Sequence, residues 1–147
     1  MRGIYLDTSV LVAALVHESG TAVVHRYLKQ ADGRPWLISS WVETEFGSAL
    51  GMQVRRNVIS AGECDAAWHR FQALKDARLQ LLELERVDFD VAARMCLLAR
   101  PPLRAGDALH VALCLKSKSC LVSCDQAMCS AAAHHRVAVD LLTPGTL

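Results

Sequence analysis

Short apolar runs alternate with longer segments of helical periodicity throughout this sequence, and that alternation limits what the chain can fold into. The first run is residues 4–6 and the last is residues 137–142. Strands that alternate with helices are typical of βαβ units, in which a helical crossover joins two parallel strands. The pattern predicts a three-layer α/β/α domain with a mostly parallel central sheet. Because 147 residues is an ordinary length for one domain, we predict a single domain over residues 1–147.

Turn and capping residues set the expected bounds of the elements. The predicted strands cover residues 4–6, 36–39, 79–84, 121–123 and 137–142. The predicted helices begin near Val10 and then cover about 21–31, 40–54, 60–78, 88–100, 106–116 and 126–134. Ser60 and Glu63 have the spacing of a capping box, and Pro101-Pro102 ends the fifth helix.

Composition excludes several classes of protein. An apolar content of 52% with a net charge of +1 excludes a disordered chain. The near balance of charges also gives no basic field of the kind that marks many nucleic-acid binders. No segment has the apolar length of a signal peptide or a membrane span, so we expect a cytoplasmic protein.

The six cysteines include no Cys-x-x-Cys pair. Cys96 and Cys114 lie in helical patterns, where a thiol behaves as a small hydrophobe. We therefore expect reduced thiols rather than a disulfide framework. A zinc site built on Cys129, His134 and His135 is the less favoured alternative.

Most of the 15 carboxylates fit polar helix faces or helix starts, where solvated acids and caps are the ordinary case. Asp7 and Asp125 differ, because each directly follows an apolar strand. The carboxyl ends of parallel strands are where ligands bind, although each acid alone fits a helix N-cap better than a catalytic role. The ordinary acids include Glu43, Glu63, Asp65, Asp76, Glu83, Glu85 and Asp88, the last as a helix cap.

Glu45 and Asp107 stand on helices that should face the core. Glu45 is four residues after Trp41 and four before Ala49, on the apolar stripe of its helix. Asp107 begins an almost wholly apolar helix and shares a face with His110, for which a hydrogen-bonded core histidine is the favoured interpretation. A carboxylate among apolar side chains is costly unless it is paired or binds a metal.

These four acids can converge at one edge of the sheet. Clustered carboxylates repel one another and stay ionised only beside a positive group. Hard oxygen ligands of this kind select Mg²⁺ or Mn²⁺. A site of this kind can activate water and stabilise the attacking and leaving oxygens in phosphodiester hydrolysis.

Four segments of the chain resemble the motifs of PIN-domain ribonucleases, specifically the VapC-type toxins of bacterial and archaeal toxin–antitoxin pairs. The segments are IYLDTS at 4–9, SSWVETEF at 39–46, LRAGDALHVA at 103–112 and LVSCD at 121–125. Their order and spacing cover essentially the whole chain, and the third segment is the most specific. There are two departures: Gly106 stands where Ala is common, and Ser123 replaces the usual Thr.

The resemblance implies roles for individual residues. The metal-binding and catalytic acids would be Asp7, Glu45, Asp107 and Asp125, with supporting hydroxyls from Ser9 and Ser123 and a basic RNA contact at Arg104. It implies an endoribonuclease that depends on Mg²⁺ or Mn²⁺ and inhibits translation and growth by cutting tRNA, rRNA or mRNA. It also implies a homodimer, neutralisation by a cognate VapB-type antitoxin, and promoter DNA bound only through that antitoxin.

Two other functions remain open from the sequence. A degenerate PIN fold could bind RNA or protein without catalysis. A phosphatase or phosphoacceptor could be built on Asp7, although such enzymes usually carry a second Asp where this chain has Ser9. Further candidates for phosphate contact, each more ordinary as a solvated surface charge, are Arg34, Arg55, Arg56, Arg100, Lys116 and Lys118.

Overall fold

Five strands form the centre of the protein, whose computed structural model describes residues 1–144. The strands are β1 (Ile4–Leu6), β2 (Trp36–Ser39), β3 (Leu79–Leu82), β4 (Cys120–Ser123) and β5 (Val139–Leu141). They lie in the order β3-β2-β1-β4-β5, and every neighbouring pair is parallel. The predicted parallel sheet is confirmed.

Seven helices connect these strands within the described residues. They are α1 (Thr8–Leu15), α2 (Thr21–Gln30), α3 (Ser40–Arg55), α4 (Ala61–Arg78), α5 (Arg86–Leu97), α6 (Ala105–Ser117) and α7 (Gln126–His134). Helices α1, α3 and α4 pack against one another, and α5 packs along α6. Parallel strands joined by right-handed crossovers place helices on both faces of the sheet, which gives the predicted three-layer α/β/α arrangement.

The core lies on both sides of β1, whose three residues are fully buried. A strand covered on both faces is expected to be continuously apolar rather than alternating, as this one is. Phe46 of α3 and Phe71 of α4 stack in the helical layer, with ring centroids 4.7 Å apart. This contact packs α3 against α4.

The strand order reverses beside β1. The chain moves from β1 to β2 and β3 on one side and returns to β4 and β5 on the other. Such a reversal opens a crevice outside the carboxyl ends of the strands, where α/β proteins bind ligands. The loops that follow β1 and β4 both end at this crevice.

Several predicted boundaries were wrong by one to three residues; the fifth helix, predicted over about 88–100, covers Arg86–Leu97. Helix α1 begins at Thr8 rather than near Val10, because the Asp7 side chain accepts a hydrogen bond from the Val10 amide and caps the helix there. Strand β3 ends at Leu82 rather than at residue 84, since the chain turns into the cap of α5 at Glu85. Strand β5 pairs with β4 only over Val139–Leu141, short of the predicted 137–142.

The prediction for Asp88 was right about its place at a helix start and wrong about its exposure. It is neither solvated nor an N-cap: it lies in the first turn of α5, is 2% exposed, and accepts a hydrogen bond from the Glu85 amide at 2.8 Å. Lys116 of α6 reaches it at 2.7 Å. The burial comes from α6 packing over α5, which the local sequence pattern of α5 does not contain. Lys116, a candidate for phosphate contact, is thus held in an ion pair.

No helix in residues 1–144 has the length and apolarity needed to cross a membrane. All six cysteines are free thiols, and Cys114, Cys120 and Cys129 are buried.

Candidate active site

Asp7 follows β1 directly and is 3% exposed. Ser9 Oγ donates a hydrogen bond to Oδ1 at 2.6 Å, and Ser123 Oγ donates to Oδ2 at 2.8 Å. Burial raises the pKa of Asp7, and the hydrogen bonds from the two serines and the nearby His110 offset part of that rise. Both carboxylate oxygens are therefore held in orientation.

Ser9 and Ser123 also connect Asp7 to the loop after β4. Ser9 Oγ accepts the Cys124 amide at 3.0 Å, and Ser123 Oγ accepts the Asp125 amide at 2.9 Å. Each hydroxyl thus donates its one proton to Asp7 and accepts a backbone N–H with one of its two lone pairs. The Ser that replaces the usual Thr at position 123 keeps this connection.

Glu45 enters the crevice from the second turn of α3. Its Oε1 accepts a hydrogen bond from Thr8 Oγ1 at 2.7 Å and a second one from Nε2 of His110. Burial would raise the pKa of Glu45, but the hydrogen bond and charge of His110 and the hydroxyl of Thr8 outweigh it and lower the pKa. No residue among 1–144 donates a hydrogen bond to Oε2, so that oxygen is available to a ligand.

His110 begins a buried chain of hydrogen bonds beneath Glu45. Its Nδ1 lies 2.8 Å from the Tyr5 hydroxyl, which lies 2.8 Å from Ser39 Oγ. With the imidazole proton on Nε2, His110 donates to Glu45 and accepts from Tyr5, and the tyrosine accepts from Ser39. The favoured interpretation of His110 as a hydrogen-bonded core histidine holds, but its partner is a carboxylate of the crevice.

Asp107 and Asp125 complete the set of four. Asp107 lies in the first turn of α6, with Oδ2 3.8 Å from Nε of Arg104. Asp125 caps α7 and accepts the Met128 amide at 3.0 Å. Burial raises the pKa of Asp107, the charge of Asp125 and, more weakly, that of Glu45 raise it further, and Arg104 and His110 offset part of the rise. These like charges raise the pKa of Asp107 because they face it across the crevice.

The four carboxylates fit a divalent cation by their chemistry. The donors are all hard oxygens. Ser9 and Ser123 hold Asp7, and Thr8 and His110 hold Glu45, through hydrogen bonds of the kind that outer-shell residues make in metal sites. Across residues 1–144 no three Asp, Glu, His or Cys side chains are grouped closely enough to form a ligand set. The charges of Asp125 and Glu45 act unfavourably on ionised Asp107, and a divalent cation is the kind of group that offsets such repulsion.

Gly106 lets α6 approach α3 at this point. A Cβ on Gly106 would lie 3.2 Å from Trp41 Nε1 and 3.3 Å from Glu45 Oε2, closer than ordinary van der Waals contact. Trp41 Nε1 is buried and has no hydrogen-bond partner in the part of the chain that the structure describes. The departure from Ala at position 106 therefore has a local cause, because the Trp41 indole fills the space that a methyl group would take.

Sequence reasoning missed two contacts of the site. Neither Thr8 nor Tyr5 carries a charge or an unusual spacing that would mark it as a site residue. Both contacts cross between elements, since Thr8 reaches Glu45 of α3 and Tyr5 reaches His110 of α6. The one usable signal was the spacing of Asp107 and His110, which places them on one face of α6.

The basic residues predicted to contact phosphate do not lie together at the carboxyl edge of the sheet as the four acids do. Arg104 stands at the edge of the site with its side chain 88% exposed, which leaves it free to reach an anion. Arg34 and Lys118 precede β2 and β4 and so lie at the opposite, amino edge of the sheet.

Comparison with known proteins gives the family and the fold. The family model of the PIN domain matches residues 4–134. FitAcB from Neisseria gonorrhoeae has a TM-score of 0.72 at 18% identity, covering 98% of this chain and 99% of its own. VapBC2 from Rickettsia felis, solved bound to a DNA fragment from their promoter, has a TM-score of 0.67 at 14% identity, with 94% and 98% covered. PAE2754 from Pyrobaculum aerophilum has a TM-score of 0.63 at 21% identity, with 95% and 84% covered. No curated protein matches the sequence. The match over most of its length shows that the chain belongs to the PIN domain family.

Proposed function

We propose that the protein is a VapC-type endoribonuclease toxin that depends on Mg²⁺ or Mn²⁺ and inhibits translation and growth by cutting RNA. The observation that carries the proposal is the position of four carboxylates on the carboxyl side of the sheet, with Asp7 and Glu45 each held by hydrogen bonds from neighbouring elements. Membership of the PIN domain family supports it.

The cation would be held by Asp7, Glu45, Asp107 and Asp125. A divalent ion bound there supplies Lewis-acid stabilisation of charge on the scissile phosphodiester and lowers the pKa of the attacking water. The free Oε2 of Glu45 and the exposed part of Asp107 are the oxygens most open to it.

The chain's own residues act by orientation. Ser9 and Ser123 hold Asp7, and Thr8 and His110 hold Glu45, so the carboxylates need little rearrangement when a ligand arrives. Arg104 can contact a phosphate beside Asp107 and so position the strand.

The partners follow from the same assignment. A cognate VapB-type antitoxin would neutralise the toxin, promoter DNA would be bound only through that antitoxin, and the toxin itself would be a cytoplasmic homodimer. The likeness of the fold to VapBC2, which was solved with a DNA fragment from its promoter, supports an antitoxin partner.

Inducible expression in a bacterial host tests the proposal, with Asp7→Ala beside the wild type and the exposed Asp76→Ala as a matched control. We expect growth arrest and a discrete cut in total RNA from the wild type and from Asp76→Ala, and neither effect from Asp7→Ala. Uncut RNA in arrested wild-type cells would contradict the ribonuclease.

One observation favours a second candidate, a PIN fold that binds RNA or protein without cutting it: within the described range no three potential ligands are grouped as a metal set. Tight RNA binding by the purified wild type with no turnover in Mg²⁺ or Mn²⁺ would support this candidate. A phosphoacceptor role for Asp7 is disfavoured, because the carboxylate is 3% exposed and both oxygens already accept hydrogen bonds.

A further inference from the structure

A second site lies at the amino edge of the sheet, on the opposite side from the carboxylates. It is a cavity of about 570 Å³ between the ends of α6 and α7 and the chain entering β1. Its apolar lining includes Cys114 and Val137, which are buried. This volume is within the range of ordinary ligand-binding cavities.

Three cations converge on this cavity: Arg2, Lys118 and Arg136. All three are exposed, none makes an ion pair with another described residue, and no carboxylate lines the cavity. The nearest acid to this group along the chain, Asp140, accepts a hydrogen bond from the Tyr27 hydroxyl. A concave surface with three unpaired cations attracts anions.

The backbone at two of these cations is unusual. Lys118, the C-cap of α6, has φ 55°, and Arg136, which follows the C-cap of α7, has φ 65°; both values are in the left-handed region. Glycine or asparagine is the usual residue at such a helix end, since other side chains are strained there. Long cationic side chains stand at both positions, and both line the same cavity.

The helix ends decide what kind of anion fits. The carboxyl ends of α6 and α7 carry partial negative charge, which opposes a small anion placed directly against them. Lys118 and Arg136 have long, exposed side chains that line the same cavity, so they suit an extended ligand with several phosphates. A single-stranded nucleic acid is such a ligand, because it presents a phosphate at every nucleotide.

We propose that Arg2, Lys118 and Arg136 form an auxiliary site for the phosphodiester backbone of the RNA, separate from the carboxylate crevice. This inference rests on the proposed function, because it takes the substrate to be RNA. Helix α6 connects the two sites: Asp107 lies in its first turn and Lys118 follows its last, roughly 16 Å apart along the helix axis. The auxiliary site therefore contributes to binding only when the RNA is long enough to leave the crevice and reach the other edge.

The experiment measures binding of two single-stranded RNAs, about 20 and about five nucleotides long, to the Asp7→Asn protein so that cleavage does not interfere. The test protein also carries Lys118→Gln and Arg136→Gln. The matched control carries Lys29→Gln and Arg94→Gln instead, one lysine and one arginine that are exposed and unpaired within the described chain. Arg2→Gln, which lies outside every helix, is a further variant that keeps the fold intact if the helix ends tolerate no change.

For the test protein we expect about tenfold weaker binding of the longer RNA, with the slope of log affinity against log salt reduced by about 0.7 for each cation removed. Binding of the short RNA and binding by the control should be unchanged. An equal loss in the control, or no loss in the test protein and in Arg2→Gln, would overturn the auxiliary site.

The two proposals fail in different ways. A wild type that cuts RNA while the test protein binds the longer RNA normally keeps the ribonuclease and overturns the auxiliary site. A protein that binds the longer RNA through these cations but never cuts it supports the auxiliary site and contradicts the ribonuclease.

Discussion

The two edges of the sheet carry opposite charge. Four carboxylates gather where the strands end, and Arg2, Lys118 and Arg136 gather where they begin. A net charge of +1 over the whole chain conceals this separation. Total charge therefore says little about binding here, because the acids lie where the strands end and the cations lie where they begin.

The edges also differ in how their charges are held. Asp7 and Glu45 are fixed by hydrogen bonds from three different elements, whereas the cations of the amino edge are exposed and unpaired among residues 1–144. Fixed groups suit chemistry, which needs a set geometry, and exposed, unpaired cations suit a sequence-independent phosphate contact.

The largest effect is expected from neutralising the carboxyl edge. Asp7→Asn and Asp107→Asn should each lower RNA cleavage at least about 100-fold, because each removes charge from the part of the site that stabilises the reacting phosphate. Cleavage of a labelled RNA by the purified variants measures this. Asp76→Asn removes the same charge from an exposed helix position and should cut RNA at the wild-type rate. An equal loss of cleavage in Asp76→Asn would mean that the effect comes from the net charge of the protein and not from the carboxyl edge.

Positioning of Glu45 should be the next largest contribution. His110→Ala removes the hydrogen bond to Oε1 and leaves Tyr5 with only Ser39, so we expect cleavage to fall about 10- to 100-fold. Calorimetric titration with Mn²⁺ should show weaker binding in parallel, a loss that a purely structural histidine would not give. The exposed His69→Ala is the matched control, and unchanged Mn²⁺ affinity in His110→Ala would contradict the positioning role.

A smaller effect is expected where α6 meets α3. Gly106→Ala places a methyl group 3.2 Å from Trp41 Nε1 and 3.3 Å from Glu45 Oε2. Since alanine also favours the helix by about 1 kcal/mol, the free energy of unfolding should change little while cleavage falls severalfold. The double variant Gly106→Ala with Trp41→Phe relieves the crowding and should recover most of the cleavage. No recovery would mean that the indole is not the obstacle.

Asp7→Asn should also stabilise the metal-free protein, by about 1 kcal/mol at pH 7. Because burial raises the pKa of Asp7 in the folded state, the folded wild type binds a proton more tightly than the unfolded chain, and its stability falls as the pH rises through that pKa. Asn carries no such cost, so the gain should shrink towards acid pH. Thermal unfolding in EDTA measures this gain in stability. A variant less stable than the wild type at pH 7 would contradict the claim that the buried charge of Asp7 destabilises the metal-free protein.

The ion pair between Asp88 and Lys116 lies away from both edges and should not affect cleavage. Asp88→Ala leaves Lys116 with only the exposed Glu85 and leaves the Glu85 amide without its acceptor, so unfolding should become easier by about 2 kcal/mol. Denaturant unfolding checks this beside the exposed Asp90→Ala. A large loss of cleavage in Asp88→Ala would connect this pair to the site.

The sequence predicted the fold well because periodicity is a local property. The alternation of apolar runs with helical patterns was sufficient to predict five parallel strands and the layers around them. Asp7 and Asp125 could be placed together for the same reason, since each follows a strand and parallel strands end at one edge.

Contacts between distant segments could not be predicted. The burial of Asp88 depends on Lys116, 28 residues away, and the orientation of Glu45 depends on Thr8 and His110. Lys118 was among the candidates for phosphate contact, but its grouping with Arg2 and Arg136 was not predicted, because the three residues are far apart in the sequence. In the structure, Lys118 and Arg136 both have positive φ angles and line the same cavity.

Restoration of cleavage by metal tests the central claim most directly. The purified wild type is treated with EDTA, dialysed, and mixed with a labelled RNA while Mg²⁺ or Mn²⁺ is added back, with Asp7→Asn and Asp76→Asn alongside. The carboxyl edge acts as a cation site if cleavage is absent without metal, rises with metal in the wild type and in Asp76→Asn, and stays absent in Asp7→Asn. Cleavage by the metal-free wild type, or equal cleavage by Asp7→Asn, would contradict the account.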